Sequence, residues 1–421
     1  MKWRMFICAI CFLIGGCSLN IPLEDQFSDP DAITDVLSAR SLLASAYKAM
    51  PQQIFQLSVM SDDFCPSQHL NKDMSLQGLY NWREVEMTEL AGTLWAGYYA
   101  VIAEVNALLA RIDAVVTLDE TEKLEKMRIV CEAKALKSWC YFDLLRLFAP
   151  RYEGNENKDG IILKKRVELD FLPRSSVKEC VTEIRTLLNE ARNVDNTQKN
   201  VYWLSDKAVA YLQVELELYA GNYPAVLELT KDLETEYPES VLGADVYKYL
   251  WSSENSDARI FGKYQLEQIY MDIRFDTFEK GDYLVLSQNV DYEEEDIRKE
   301  WSEIPFVMPD AKNVRLLGKY NKMNRDKVAS KYVNVARAAG MWLMRVEALA
   351  RSGKEGDAVA LANRMLKQRG ATEWSTNIAG NELISKILIE RQKEYVGEGI
   401  RFFDMKRCGL SAIRYGTYGD K

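Results

Sequence analysis

The sequence has few of the residues and motifs from which enzyme active sites are built. Its 421 residues include one histidine, His69, which we interpret as a polar loop residue, so a Ser-His or Cys-His nucleophile would depend on this single side chain. Residues 353–355, Gly-Lys-Glu, lack the upstream glycine and the hydroxyl residue of a phosphate-binding P-loop. No nucleophile elbow and no cluster of metal ligands is visible in the sequence. We therefore expect a protein that is not an enzyme and needs no cofactor.

A surplus of positive charge and a disulfide framework are also missing. The 54 Lys and Arg residues are outnumbered by 63 Asp and Glu residues, and the resulting charge of -9 argues against nucleic-acid binding. Of the 8 cysteines, Cys8 and Cys11 lie in an N-terminal leader. Five scattered cysteines follow Cys17, namely Cys65, Cys131, Cys140, Cys180 and Cys408. Because five is odd and the spacing is irregular, we expect mostly buried thiols that act as small hydrophobic side chains.

The first 16 residues have the character of an export signal. Lys2 and Arg4 give a positive end, and the apolar run 5–14 is too short to span a bilayer stably. The end of the leader, Leu-Ile-Gly-Gly-Cys at 13–17, resembles the bacterial lipoprotein signal, which implies that Cys17 is acylated and anchors the chain to a membrane. An ordinary secretory signal with an incidental cysteine is the alternative. No Pro/Gly/Ser linker divides the rest, so we expect one domain over 17–421.

Helical periodicity dominates the chain. Apolar stripes predict long helices over 89–112 and 120–148, and a helix over 177–192 begins with a capping box of Ser176 and Glu179. Helical pairs with short glycine turns follow at 206–233 and 342–365, in the manner of tetratricopeptide repeats. The pattern predicts a mainly α fold with a tetratricopeptide-like helical-repeat scaffold. Generic helical hairpins are the alternative, with the same fold class.

Two stretches, about 51–87 and 240–330, carry aromatic residues in polar sequence without a sustained helical period. Long irregular stretches inside a compact domain are usually functional, so we expect them to form a loop-rich ligand-binding face. The rings that we favour as ligand-binding are Tyr80, Trp82, Tyr270, Tyr283 and Trp301. The alternative is that these rings anchor their loops to the helical core.

Acidic residues cluster at 62–63 and at 291–296. Paired carboxylates can form a glycosidase site, but their separation cannot be read from the sequence. The spacing of Tyr292-Glu293-Glu294-Glu295-Asp296 is typical of a solvated helix face. The densest charged run, 389–407, alternates opposite charges around two glycines. Because buried charges must pair, we interpret this run as a structural group of salt bridges that closes the C-terminal helices, in preference to an active site.

The same C-terminal run resembles the signature of the SusD/RagB family. The matching residues are Glu390-Arg391, Glu394-Tyr395, Gly397-Glu398-Gly399, Arg401-Phe402, Asp404 and Arg407. Further similarities lie at Trp95, Tyr98-Tyr99, Asn106, Glu132-Ala133, Arg174-Ser175-Ser176, Arg345 and Glu347-Ala348. The chain departs from the family pattern at Ala149, where glycine is usual, and at Cys408, where tryptophan is common.

The resemblance implies an outer-membrane nutrient-binding lipoprotein of Bacteroidetes that faces the cell surface. Its partner would be a SusC-type TonB-dependent transporter, to which it would deliver a captured oligosaccharide or peptide. Individual binding residues are not implied, because the loops of the family vary. Two alternatives remain at this stage: a tetratricopeptide-type scaffold that binds other proteins, and a peptide-binding lipoprotein.

Overall fold

The computed structural model describes residues 33–65, 74–168, 171–193, 195–196, 200–252, 255–264, 285–308, 311–321 and 332–414. Most of these residues are helical. The helices are α1 (Val36–Ala49), α2 (Ile54–Met60), α3 (Met74–Tyr80), α4 (Glu84–Arg111), α5 (Glu120–Phe148), α6 (Val177–Glu190), α7 (Asp206–Tyr219), α8 (Tyr223–Leu229), α9 (Leu233–Glu236), α10 (Ala244–Tyr247), α11 (Ile297–Ser302), α12 (Ala338–Arg351), α13 (Glu355–Arg369), α14 (Gly380–Tyr395) and α15 (Ile400–Cys408). The strands are β1 (Arg259–Tyr264), β2 (Glu303–Val307), β3 (Asn313–Leu317) and β4 (Tyr332–Arg337).

The N-terminal half packs around α5, which touches α1, α4 and α6. Its bounds coincide with the predicted 120–148, whereas α4 begins five residues before the predicted 89. The predicted capping box is present, because the Ser176 hydroxyl accepts from the Glu179 N–H and the Glu179 carboxylate accepts from the Ser176 N–H. By length and hydropathy alone, the segment Glu84–Ala114 could cross a membrane. Its apolar face is buried against neighbouring helices at Leu94, Tyr98 and Val105, so we assign it to the core.

The two predicted helical hairpins are α7–α8 and α12–α13, and α12 packs against α7, α8, α13 and α14. The second hairpin turns at Gly353, whose φ of 75° suits glycine. In the first hairpin the returning helix is shorter than predicted, because it stops at Thr230 and resumes as α9. The mainly α, tetratricopeptide-like fold class is confirmed.

The stretch 240–330 contains strands that the sequence pattern did not reveal. β1 pairs antiparallel with β4, and β2 pairs antiparallel with β3. Residues 292–296 do not form the predicted solvated helix face, although Glu293, Glu294 and Glu295 are exposed as expected. Tyr292 is buried, the run forms a turn, and the Asp296 carboxylate caps α11 while it binds the Arg298 guanidinium at 2.7 Å.

Candidate functional site

Backbone pairing joins the two irregular stretches. Phe64, just after α2, forms an antiparallel bridge with Leu286, and the Cys65 N–H donates to the Val285 carbonyl at 2.8 Å. Val285 in turn bridges Leu316 of β3. Backbone pairing therefore links the end of α2, through residues 285–286, to β3 of the β2–β3 hairpin. As a result, residues near position 60 lie beside residues near position 290.

Trp82 lies in the turn that follows α3 and has a φ of 53°, in the left-handed region that a tryptophan rarely adopts. Its indole N–H donates to the Met60 carbonyl at 2.8 Å, which fixes the ring while 49% of the residue stays exposed. Tyr80, by contrast, is only 7% exposed, and burial raises its pKa to about 12. The Arg414 guanidinium lies 4.1 Å from the Tyr80 ring centre and 5.5 Å from that of Trp82. The structure thus brings two of the predicted rings to one cation.

The last described residues hold that cation in place. Arg414 donates to the carbonyls of Met60 and Ser61 at 2.5 and 3.2 Å. The Ile413 N–H donates to the Asp62 carboxylate at 3.3 Å, and the Ile413 carbonyl accepts from Asn289 at the same distance. The C-terminal segment therefore contacts both irregular stretches.

Asp62 and Asp63 lie beneath this surface with no solvent exposure. Asp62 accepts two hydrogen bonds from the Arg401 guanidinium, at 2.7 and 3.0 Å. Asp63 accepts from the Gly397 N–H at 3.1 Å and from the Gln392 amide at 3.3 Å. Burial, with a further contribution from Asp62, raises the pKa of Asp63 to about 7. The two carboxylates hold the loop after α2 to the C-terminal helices, which is a structural use of the pair.

Most charged residues of the run 389–407 are buried and paired, as predicted, whereas Lys406 donates to the Leu147 carbonyl. Burial alone would raise the pKa of Glu394, but three guanidinium groups hold it well below its usual value. These groups belong to Arg369, Arg337 and Arg298, at 2.8, 2.6 and 3.4 Å. Glu398 also binds Arg337 and accepts from the Lys319 ammonium at 2.9 Å. The partners come from distant parts of the chain, so the run ties α11, β4 and α13 to the end of the molecule.

The other predicted site residues are distributed as follows. Trp301 lies in α11, partly buried against the hydrophobic cluster that contains Tyr80. Tyr270 and Tyr283 lie outside the described residues, as do His69 and the proposed lipidation site Cys17. Four of the five cysteines beyond Cys17 are buried and Cys408 is half-buried, in agreement with the prediction.

Two features in or beside the stretch 240–330 had no sequence signal that singled them out. A groove of about 500 Å³ runs along the β2–β3 hairpin, lined by Leu286, Gln288, Pro305, Phe306, Val307, Asn313, Val314 and Arg315. A group of rings, Tyr202, Tyr264 and Tyr332, has centroids 5.9 to 6.4 Å apart, and Tyr264 is 42% exposed. The pairing of β1 with β4 sets Tyr264 opposite Tyr332, and the hydrogen bond from the Gly262 N–H to the Val201 carbonyl brings Tyr202 to them.

Comparisons with known proteins agree with this architecture. A family model described as starch-binding and associating with the outer membrane matches residues 24–214, and the model of the SusD family matches residues 243–419. A SusD-like protein of Formosa agariphila is 22% identical and covers 94% of this chain and 88% of its own length.

Solved structures show the same fold. A SusD superfamily protein from Bacteroides fragilis superposes with a TM-score of 0.72 at 21% identity, covering 93% of this chain and 94% of its own. A SusD-like carbohydrate binding protein from Bacteroides vulgatus gives a TM-score of 0.71 at 18% identity, with 91% and 85% covered. Together, the two family models account for the helical scaffold and for the C-terminal charged run. The chain belongs to the SusD/RagB family.

Proposed function

We propose that this chain is a surface nutrient-binding lipoprotein that captures an oligosaccharide and delivers it to a SusC-type TonB-dependent transporter. Membership of a family described as starch-binding and associating with the outer membrane supports the ligand class and the location. In this proposal Cys17 carries the lipid anchor, residues 17–421 form one domain, and the binding face points away from the cell. The chain acts by binding, and no bond is broken.

The observation that carries the proposal is the conformation of Trp82. A left-handed backbone costs a non-glycine residue on the order of 1 to 3 kcal/mol and persists only where the surroundings enforce it. Here the enforced conformation leaves the anchored ring of Trp82 half exposed, and folding by itself gains no free energy from such an arrangement. A flat apolar ring suits the apolar face of a sugar. The free-energy cost of the left-handed backbone at Trp82 is therefore explained if the exposed ring binds the ligand.

Polar groups that would satisfy sugar hydroxyls lie on the hairpin groove described above. Gln288 and Asn313 offer amide donors and acceptors there, beside the Arg315 guanidinium, which pairs with Glu303 and Asp291. Trp82 does not line this groove, and the bridge between Phe64 and Leu286 is what joins its stretch of chain to the groove. An apolar ring with a few polar side chains is a usual combination in ligand sites. We place the binding face on Trp82 and this groove, with Tyr270, Tyr283 and Trp301 as further candidate rings and Tyr80 as the buried support of Trp82.

Replacement of Trp82 by alanine tests the proposal. Calorimetric titration of the purified protein with maltoheptaose, and with an array of other neutral oligosaccharides, identifies a binding glycan. The Trp82→Ala variant should then bind it more weakly by roughly 1–3 kcal/mol while the protein remains folded. Phe171→Ala, which removes a fully exposed ring elsewhere, is the matched control and should bind normally.

The same titrations separate the alternatives. If Tyr264→Ala abolishes binding while Trp82→Ala does not, the ligand sits on the tyrosine group and our placement is wrong. If no glycan binds and a peptide library yields a ligand, the peptide-binding alternative replaces the glycan proposal. Binding only to folded proteins would support the interaction scaffold.

A further inference from the structure

Arg414, the last described residue of the chain, lies beside the exposed ring of the proposed binding face. Its guanidinium is 5.5 Å from the centre of the Trp82 ring and 4.1 Å from that of the Tyr80 ring. The carbonyl of Met60 accepts hydrogen bonds both from the Trp82 indole N–H and from Nη2 of Arg414. One backbone carbonyl therefore holds the ring and the cation side by side.

Two other arginines lie next to Trp82 or on the hairpin groove, and both are compensated by carboxylates. Arg83 lies 3.4 Å from the Glu86 carboxylate, and Arg315 pairs with Glu303. Arg414, by contrast, forms no ion pair with any carboxylate in the described part of the chain. Of these three arginines, Arg414 is therefore the one whose charge is open to an anionic partner.

The surroundings of Arg414 stabilise its positive charge only in part. Burial lowers the pKa of the guanidinium, and the Tyr80 hydroxyl and the Asp62 carboxylate do not fully offset this effect. Asp62 already accepts two hydrogen bonds from Arg401, at 2.7 and 3.0 Å. Because a partly desolvated charge is stabilised by an opposite charge nearby, an anion beside Arg414 would be bound favourably.

The guanidinium of Arg414 also has hydrogen-bond donors to offer. A guanidinium carries several N–H donors, and here Nη2 serves the carbonyls of Met60 and Ser61 at 2.5 and 3.2 Å. The Tyr80 hydroxyl is a further neighbour. No nitrogen of Arg414 is buried without a hydrogen-bond partner, so a nitrogen that these groups leave without an acceptor faces the solvent.

We propose that the binding face prefers glycans that carry an anionic substituent, with the sugar ring on Trp82 and the anionic group on Arg414. The anionic group is a uronic-acid carboxylate or a sulfate ester. The inference rests on the proposed function and adds the charge class of its ligand. A sugar packs its apolar face on the indole, while its substituents project from the edge of the sugar ring toward a cation at the side. Hydrogen bonds to an ionised group are stronger than neutral ones, so the anion adds affinity to the stacking.

Matched pairs of glycans test this preference by calorimetric titration of the purified mature chain. Oligogalacturonate and oligomannuronate are each compared with their carboxyl-reduced counterparts, and sulfated galactan oligosaccharides with their desulfated counterparts. In at least one pair the wild type should bind the anionic member about tenfold more tightly, as expected for one charge-assisted hydrogen bond. The two kinds of pair show whether the anion is a carboxylate or a sulfate.

Substitutions of Arg414 assign the preference to this side chain. Arg414→Gln removes the charge and should bind both members of the pair equally, whereas Arg414→Lys keeps the charge and should retain most of the preference. A general disturbance of the loop weakens both members alike, so it does not change the ratio of the two affinities. Arg364→Gln, which removes a 40% exposed side chain on α13, is the control and should keep the wild-type ratio.

Equal binding of both members by the wild type in every pair would overturn the inference and leave the proposed function in place. A preference that persists in Arg414→Gln would overturn the role of Arg414. If neither member of any pair binds, the proposed function fails as well. If Arg414→Gln does not fold, Arg83→Gln and Arg315→Gln carry the comparison. Both should keep the preference, and its loss in either variant would assign it to another cation.

Discussion

At the scale of single residues, the ionic contacts of this protein fall into two physical classes. Arg401 and Asp62 form a bidentate pair in which the two side chains are 7% and 0% exposed. Arg364 also forms two ion pairs, with Glu234 and Glu239, but its side chain is 40% exposed. Removal of one buried partner leaves an uncompensated charge in the interior, whereas an exposed partner is rehydrated.

The two arginines therefore make a matched comparison. Arg401→Ala should lower the free energy of unfolding by about 3–5 kcal/mol, because Asp62 would remain buried without its cation. Arg364→Ala should lower it by less than about 1 kcal/mol. Urea unfolding of both purified variants measures the difference. If Arg401→Ala unfolds like the wild type but no longer binds the glycan, the C-terminal run is a binding site and our structural interpretation is wrong.

Asp63 gives the stability a pH dependence of defined sign. Its pKa is raised to about 7 in the folded state by burial and by Asp62, against about 3.9 in an unfolded chain. The folded state therefore holds the proton more tightly. The stability that this group contributes is full below about pH 3.9 and is lost as the pH rises through about 7.

The Asp63→Asn variant cannot lose that proton. The melting temperature of the variant minus that of the wild type should increase steadily from pH 4 to pH 7 and then stay constant. The altered hydrogen bonds of the asparagine shift this difference by the same amount at every pH. Glu132, whose pKa burial also raises to about 7, is present in both proteins and cancels in the difference. Asp35→Asn is the control, because the lowered pKa of Asp35 confines its effect to pH values below about 5. A parallel pair of curves for Asp63→Asn and wild type would contradict the assignment.

At the scale of secondary-structure elements, helices were predictable and strands were not. α5 and α7 occupy the predicted residues because their apolar stripes and caps are local signals. β1 and β4 pair Arg259 with Arg337 across most of the irregular stretch, and β1 carries a register irregularity, so no local pattern marks either strand. The failure at residues 292–296 has a similar origin, since Asp296 is buried together with Arg298, and the second carboxylate that Arg298 binds, Glu390, is 92 residues away in the sequence.

Glycine-to-alanine substitutions in helices test the described packing, because alanine raises the helix propensity but its Cβ atom can collide with a neighbouring helix. A Cβ atom at Gly340 of α12 would lie 2.6 Å from the Tyr211 hydroxyl and would also collide with the Tyr395 hydroxyl. Gly340→Ala should therefore destabilise by about 1–3 kcal/mol, although alanine favours a helix. Gly92 of α4 has no neighbour within 4 Å, so Gly92→Ala should stabilise by about 0.5–1 kcal/mol. Thermal melts of both variants should show shifts of opposite direction, and two stabilising shifts would contradict the described packing.

At the scale of the whole molecule, the proposed anchor determines where the protein works. In cells that express Cys17→Ala with normal leader removal, the mature protein should leave the membrane fraction and appear in the soluble one, because its acyl chains are missing. Immunoblots of the two fractions measure this, and Cys65→Ala, which alters a buried thiol, is the control that should stay with the membrane. Retention of the processed Cys17→Ala protein would show that another contact holds it there.

The candidate site was predictable as a region and not as a set of contacts. Aromatic residues without helical period singled out two stretches, and the structure joins these stretches at Phe64 and Leu286. The exposure of Trp82 and the burial of Tyr80, two residues apart, depend on a turn and on Arg414, more than 330 residues away. Likewise, the sequence predicted that the charges of the run 389–407 form ion pairs if they are buried. It did not identify which distant residues are their partners.

The contacts of Asp62 have a consequence for the order of folding. Asp62 is bonded to Gln392 and Arg401, which follow it by 330 and 339 residues. Contacts between residues so distant in sequence form late in folding, because the intervening chain must first lose most of its conformational freedom. During export from the N terminus, the loop that positions Trp82 has no anchor until α14 and α15 emerge. The proposed binding surface is therefore assembled last, and we expect a truncated or stalled chain to build its helical repeats without completing that surface.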